Sequence, residues 1–426
     1  VTAIPAPGIG RAFLSSKAGS AEAGSSRADV FASPKPSRSA LRGLAAGAAA
    51  LLLAGCNSIP GMGSLNSSEP TAPAASESIP VIPGKVRVGL ILPLTASGNG
   101  AAAGAAFKNA AEMAVAEFNG SAVQLIVKDD RGTAEGGREA AQQVLAEGAE
   151  IIIGPLFAPS VQAVGQVAKA AGKPVIAFST DASVAQKGVY LLSFMPESDV
   201  DTILEFASAR GKRSVAAMIP NTAYGSVVAG AFQEIAARRG IRVVAIERYA
   251  PDKAGIDASV KKIASLEGQA DALLIPDNGD GMQAVGQALA ANGLSNSKIQ
   301  MLGTGVWDDP RVLGVKAIQG GWYAAPDKAG YNNFAARYRA RYGAEPIRIA
   351  TLSYDAVFLI NALYTKYGAS GFSEGTITSA DGIIGTDGLF RFRPDGTNQR
   401  GLAVLQVGNG GAQTISPAPR SFAPGT

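Results

Sequence analysis

VRVGLILPLTASGNGAAAGAAFKNAAEMAVAEFNG, residues 86–120, couples a short apolar run (86–94) to a longer amphipathic stretch (101–118). The couplet recurs downstream: 123–127 then 135–146, 150–153 then 160–170, and a last run at 174–178. A second series follows, with 214–219 then 224–239, 242–247 then 256–266, 272–275 then 281–291, and finally 299–302. Strand-length apolar runs separated by helix-length segments mark parallel strands with crossover helices. Two such series predict an α/β protein of two doubly wound, Rossmann-like lobes. Later, 331–342 and 349–367 read as helices, and 388–392 and 402–407 as strands. Helices and then strands after two complete series finish each lobe in turn, with three crossovers expected near 195–198, 323–326 and 379–388. One lobe then takes 84–196 and 326–380, the other 197–325 and 381–420. Ligands of such sheets bind outside the carboxyl ends of the strands, so a cleft is expected where the lobes face each other.

The chain has 426 residues, enough for two domains with their own cores, and its 17% charged fraction argues against a disordered or nucleic-acid-coating protein. The net charge of +4 lies wholly before Cys56, where Arg11, Lys17, Arg27, Lys35, Arg38 and Arg42 face only Glu22 and Asp29. The remainder is neutral and offers no electrostatic footprint for nucleic acid. Arg38 and Arg42 flank the start of an apolar run at 41–54, which is too short to span a bilayer comfortably and ends in small residues, as an export signal does. Its last residues, Leu53-Ala54-Gly55-Cys56, resemble the bacterial lipobox, in which the cysteine is acylated and becomes the first residue after cleavage. Residues 1–55 are therefore expected to be an overextended N-terminus (to about residue 37, with no Met before Met62) followed by a lipoprotein signal peptide. Residues 56–83, rich in Ser, Pro, Ala and Gly, read as a flexible tether, and 84–420 as the folded body.

With the strand pattern in hand, several segments resemble the type I periplasmic binding proteins, the leucine/isoleucine/valine-binding family of amino-acid uptake systems. These are 86–120, LIVKDDRGTAEGGREAAQQVLAEGAEIIIGPLFAPSVQAV (125–164), GKPVIAFSTD (172–181) and NTAYGSVVAGAFQE (221–234). The stretches GTGVWDDP (303–310), GGWYAAPD (320–327), SYDAVFL (353–359) and DGLFRFRPDGTNQRGLAVLQV (387–407) resemble a lipoprotein subgroup, the penicillin-binding protein activators.

The resemblance implies a ligand site on the strand-end loops. Relatives hold a ligand carboxylate with backbone N–H groups and hydroxyls of the loops at 154–160 and 178–181, which here offer Ser160, Ser179, Thr180 and Asp181. Ser160 and Asp181 could equally cap the helices that follow them. Ala158 stands where those relatives place a contacting serine. In the second lobe the resemblance assigns Tyr224 to the ligand ammonium and Asp308 to its neutralisation, with Asp277 ending another strand and Trp307 able to stack on a ligand or plug the cleft. Gly98, Gly100 and Gly104 with Asp129 and Asp130 imitate a dinucleotide fingerprint, but residues 93–97 separate the glycines from the strand end. The same loop, with Ser97 and the N–H groups opening the next helix, suits a carboxylate instead.

The sequence contains no histidine, which removes Ser-His-Asp chemistry and most zinc sites, and its one thiol is assigned to lipidation. No enzyme activity and no cofactor are expected. Two functions remain: capture of an amino acid or similar small ligand for a membrane transporter, or, on the subgroup segments, Ala158, Trp307 and Asn57, regulation of a peptidoglycan synthase by contact with a penicillin-binding protein.

Overall fold

In the computed structural model, β1 (Val86–Leu92) is apolar on both faces and is used on both. Val88, Leu90 and Leu92 pack with Phe107 in one core, while Ile91 packs with Val144 and Val161 in another, as the two-residue period of a strand requires. Gly89 faces the second core, and a Cβ there would stand 2.7 Å from Val144 Cγ2; its absence lets the helix carrying Val144 lie directly on the sheet. The structure describes residues 80–422 except Asn119 and Gly410. The expected signal peptide, Cys56 and nearly all of the tether lie outside the described residues.

The first lobe continues with α1 (Asn99–Glu117), β2 (Val123–Asp129), α2 (Ala134–Ala146), β3 (Ile151–Ile153), α3 (Ala158–Ala170), β4 (Val175–Ala177) and β5 (Val189–Leu191). Its sheet is parallel, in the order β2-β1-β3-β4-β5. The second lobe takes α4 (Pro196–Ala209), β6 (Ser214–Pro220), α5 (Ala223–Arg238), β7 (Arg242–Tyr249), α6 (Lys253–Ala264), β8 (Ala272–Leu274), α7 (Gly279–Ala291), β9 (Gln300–Gly303), α8 (Pro310–Leu313) and β10 (Trp322–Ala325). The chain then returns through α9 (Lys328–Tyr342), α10 (Thr351–Tyr367) and α11 (Glu374–Ile377) to a small antiparallel sheet of β11 (Ile383–Gly385), β12 (Gly388–Phe392) and β13 (Asn398–Arg400). β14 (Ala403–Gly408) and β15 (Gly411–Ser416) complete the second sheet, in the order β15-β14-β10-β9-β8-β6-β7. Both sheets reverse direction of growth beside their first strand, between β1 and β3 and between β6 and β8. A crevice opens at such switch points.

The fold is the two-lobed α/β architecture that the periodicity implies, with one boundary corrected. The third crossover lies at Gly401, between β13 and β14, and not at 379–388. Phe390 and Phe392 of β12 are buried in the first lobe's core, and Leu191 N–H donates to Gly396 O, so residues 381–400 belong to that lobe. Leu402 and Val404 are the first residues to enter the second lobe's core. The first crossover follows β5, since Leu192 lies in the first lobe's core and Val200 in the second's. The second is the Pro326–Asp327 step, between Ala325 of β10 and Phe334 of α9.

Candidate functional site

Loops from both lobes gather at the carboxyl ends of the strands, but most of the side chains expected to meet a ligand are engaged with the protein itself. Ser160 is fully buried on the third residue of α3 and donates its hydroxyl to Asp130 Oδ2 at 2.5 Å. It neither caps α3 nor faces the cleft. Burial raises the Asp130 pKa, against the pull of the Ser160 hydroxyl and the Gly132 N–H. Ser179 Oγ accepts the Asp181 N–H at 3.1 Å, and Asp181 caps a short 3₁₀ turn by accepting from Ser183 N at 2.9 Å. Thr180 and Ser97 are exposed at the lip of the first lobe. Phe157, absent from the sequence reading, is 39% exposed and lies over Gly100 and Gly132, where a Cβ would come within 3.4 and 3.2 Å of its ring.

On the second lobe, Trp307 corrects the expectation of a stacking or cleft-plugging residue. It is fully buried, donates its indole N–H to Ile275 O at 2.8 Å and packs against Tyr323, inside the core beneath the loop. The bare α-carbon of Gly303 accommodates it, since a Cβ there would stand 2.1 Å from the ring. Asp277 accepts from Tyr249 OH at 2.6 Å and from Asn278 N at 2.8 Å, tying β7 to the end of β8. Tyr224 opens α5 and shares a 2.8 Å hydrogen bond with Thr304 Oγ1 at the end of β9.

Asp308 is already neutralised. Its Oδ1 lies 2.6 Å from Lys328 Nζ and accepts from Tyr323 OH at 2.9 Å. Because Lys328 begins α9 in the first lobe, this ion pair spans the second crossover. Both side chains retain contact with water, so the pair is worth about 0.2–1 kcal/mol. A double-mutant cycle with Asp308→Asn and Lys328→Met, read by urea unfolding, should give a coupling within that range. A coupling above about 2 kcal/mol would mean that the pair is desolvated in solution.

Two further acids, with no salt bridge among the described residues, lie in Pro196-Glu197-Ser198-Asp199 at the start of α4. Asp199 is 9% exposed, and its Oδ2 accepts the Gly305 N–H at 2.9 Å, beside Thr304 and Tyr224. Burial pushes its pKa up to about 7; the Gly305 N–H pulls it down, the Glu197 charge adds to the rise, and the Arg400 charge opposes it. Burial likewise raises Glu197, whose Oε2 is buried without a hydrogen-bond partner among the described residues and which feels Arg393 and Asp181, both from the first lobe. The strand-end rule did not single these residues out because they open a helix just past a crossover. The available signal was two acids in the first turn of a helix entered from the hinge. Among the described residues no group of His, Cys, Asp and Glu could hold a metal ion, and no helix is long and apolar enough to cross a membrane.

Three solved structures share this architecture. One, from Rhodospirillum rubrum and named for branched-chain amino acid ABC transport, is 22% identical with a TM-score of 0.70, covering 78% of this chain and all of its own. A solute-binding protein of an ABC transporter from Rhodopseudomonas palustris, in complex with 3,4-dihydroxybenzoic acid, is 21% identical with a TM-score of 0.57 (80% and 99% covered). The branched-chain amino acid substrate-binding protein LivJ of Streptococcus pneumoniae, in complex with isoleucine, is 19% identical with a TM-score of 0.54 (78% and 100% covered). At these identities the likeness speaks for the fold alone. No curated protein matches the sequence. The family model for periplasmic binding proteins, however, matches residues 85–412, from the first strand to the last hairpin. With both lobes and all three crossovers inside that match, the chain belongs to the periplasmic binding protein family.

Proposed function

We propose that this protein is an extracytoplasmic solute-binding protein that captures a small ammonium-bearing ligand, an amino acid or a close relative, between its lobes for an ABC transporter. The observation that carries the reading is the buried Asp199 with the half-buried Glu197 beside Tyr224, neither in a salt bridge among the described residues, with Arg400 and Arg393 acting on them only through their fields. An ammonium there would restore the ionised carboxylate that burial disfavours and would meet the aromatic face of Tyr224. The lip residues Thr180 and Ser97, with nearby loop N–H groups, supply donors for a carboxylate. Phe157 supplies an apolar surface. Binding would favour a closed state, since only closure brings both sets together. No bond is made or broken in this function. Acylation at Cys56 would hold the body to a membrane through the tether, which mass spectrometry of the membrane-extracted protein tests.

The full chain carrying Cys56→Ser, screened by thermal shift against amino acids, amines and aromatic acids, tests the reading. A ligand at 100 times its Kd stabilises by about 2.7 kcal/mol, a shift of several degrees. The ion pair of Asp308 with Lys328 favours a second reading, since it removes the acid that relatives use for the ammonium. In that reading the lobes regulate a peptidoglycan synthase, and the screen stays flat for every compound.

A further inference from the structure

Five side chains stack in alternation through the hinge. Arg348 lies 4.5 Å from the ring centroid of Tyr331 and 4.9 Å from that of Phe194. Arg400 lies 4.6 Å from Phe194 and 5.4 Å from Phe390. The order Tyr331–Arg348–Phe194–Arg400–Phe390 therefore places Phe194 between two guanidinium groups. Phe194 is on the first crossover and Arg400 immediately precedes the third. The other three members belong to the first lobe, on α9, on the turn before α10 and on β12.

The stack is anchored at its charged members. Arg348 Nη2 is 2.7 Å from Oδ1 of the buried Asp387, whose Oδ2 accepts from Thr351 Oγ1 at 2.5 Å. Arg400 Nε and Asn398 Nδ2 both donate to Ser193 O, at 2.9 and 2.7 Å. Two donors from the third crossing thus grip one carbonyl of the first. Arg400 is 4% exposed, and its Nη1 and Nη2 have no hydrogen-bond partner among the described residues. Its charge is met by ring faces and by the fields of Asp387, Asp355 and Asp199. Apolar residues could fill this volume without desolvating a charge. A planar guanidinium between rings adds orientation, which an aliphatic chain does not.

We propose that this stack is the fixed side of the hinge. It fastens the first and third crossovers to the first lobe, so the second lobe turns about three short joints, at 195–196, 326–327 and 401–402. Phe194 is its positioning residue. Gly401, with no side chain, lies at the third joint.

Spin labels at Lys169→Cys on α3 and Lys261→Cys on α6, both exposed, report the inter-lobe distance in a Cys56→Ser background. The unaltered stack should give a narrow distance distribution. Phe194→Ala should widen it at least twofold, and Arg348→Lys, which keeps the charge but loses the plane, should widen it as well. Phe194→Trp should restore the narrow width. If Phe194→Ala does not fold, Arg348→Lys decides the matter alone. Variants that unfold cooperatively at a lower temperature but keep the original width would show the stack to be core packing only, and would overturn the proposal.

Discussion

Trp307→Ala should lower the unfolding free energy by about 3–5 kcal/mol, the largest stability loss expected from one side chain near the cleft. The indole is fully buried against Tyr323 and supplies the hydrogen bond that Ile275 O accepts. Its removal leaves a cavity and an unpaired carbonyl together. Urea unfolding reads the result, with an unchanged slope showing that the unfolded state is the same. A residue that merely lined an open cleft would cost under about 1 kcal/mol, and that outcome would return Trp307 to the ligand site. Gly303→Ala tests the same packing from below, because its new methyl would lie 2.1 Å from the ring.

Asp199→Asn should do the opposite and stabilise the protein at neutral to alkaline pH. The folded-state pKa, about 7, lies above the ordinary 3.8, so between those values the native state binds the extra proton. Stability from this group is complete below pH 3.8, falls as pH rises through the window to about 7, and stays low above it. The loss at pH 8 is on the order of 2–4 kcal/mol, which burial of the carboxylate imposes and asparagine escapes. The amide oxygen can still accept the Gly305 N–H. The variant should therefore match the original near pH 4 and exceed it at pH 8, by urea unfolding at each pH. Equal stability at pH 8 would mean that water reaches this carboxylate in solution. A charge kept at such a cost is expected where binding, and not folding, requires it.

The fold was legible because strand-length apolar runs such as 86–92 and 214–219 alternate with helices of clear length. Apart from β15, the polar last strand of the second sheet, the elements that sequence reading missed are short or sit at crossings. β5 and β11 have three residues each, and α4 begins with the polar Pro196-Glu197-Ser198-Asp199, directly after a chain crossing. The third crossover was misplaced because an antiparallel hairpin carries the same alternation in either lobe; the burial of Phe390 and Phe392 decides which. The site was less legible. Sequence position shows which loops lie at strand ends, but not which side chains the protein already uses. Ser160 is bound to Asp130, Asp308 to Lys328 and Asp277 to Tyr249, and each pairing joins residues at least 20 apart in the chain. Trp307 reads as a loop residue, and only the bare Gly303 beneath it shows that the loop folds its indole inward.

Titration calorimetry on the Cys56→Ser chain and on the same chain with Asp199→Asn shows whether Asp199 holds the ligand's ammonium. With any amino acid or amine that raises the melting temperature, the account predicts binding that tightens as pH rises from 6 to 8, because Asp199 must lose its proton to hold an ammonium. It also predicts at least a hundredfold weaker binding in Asp199→Asn, equivalent to about 2.8 kcal/mol. A ligand bound with equal affinity by both proteins, or no ligand across the whole set, would contradict it.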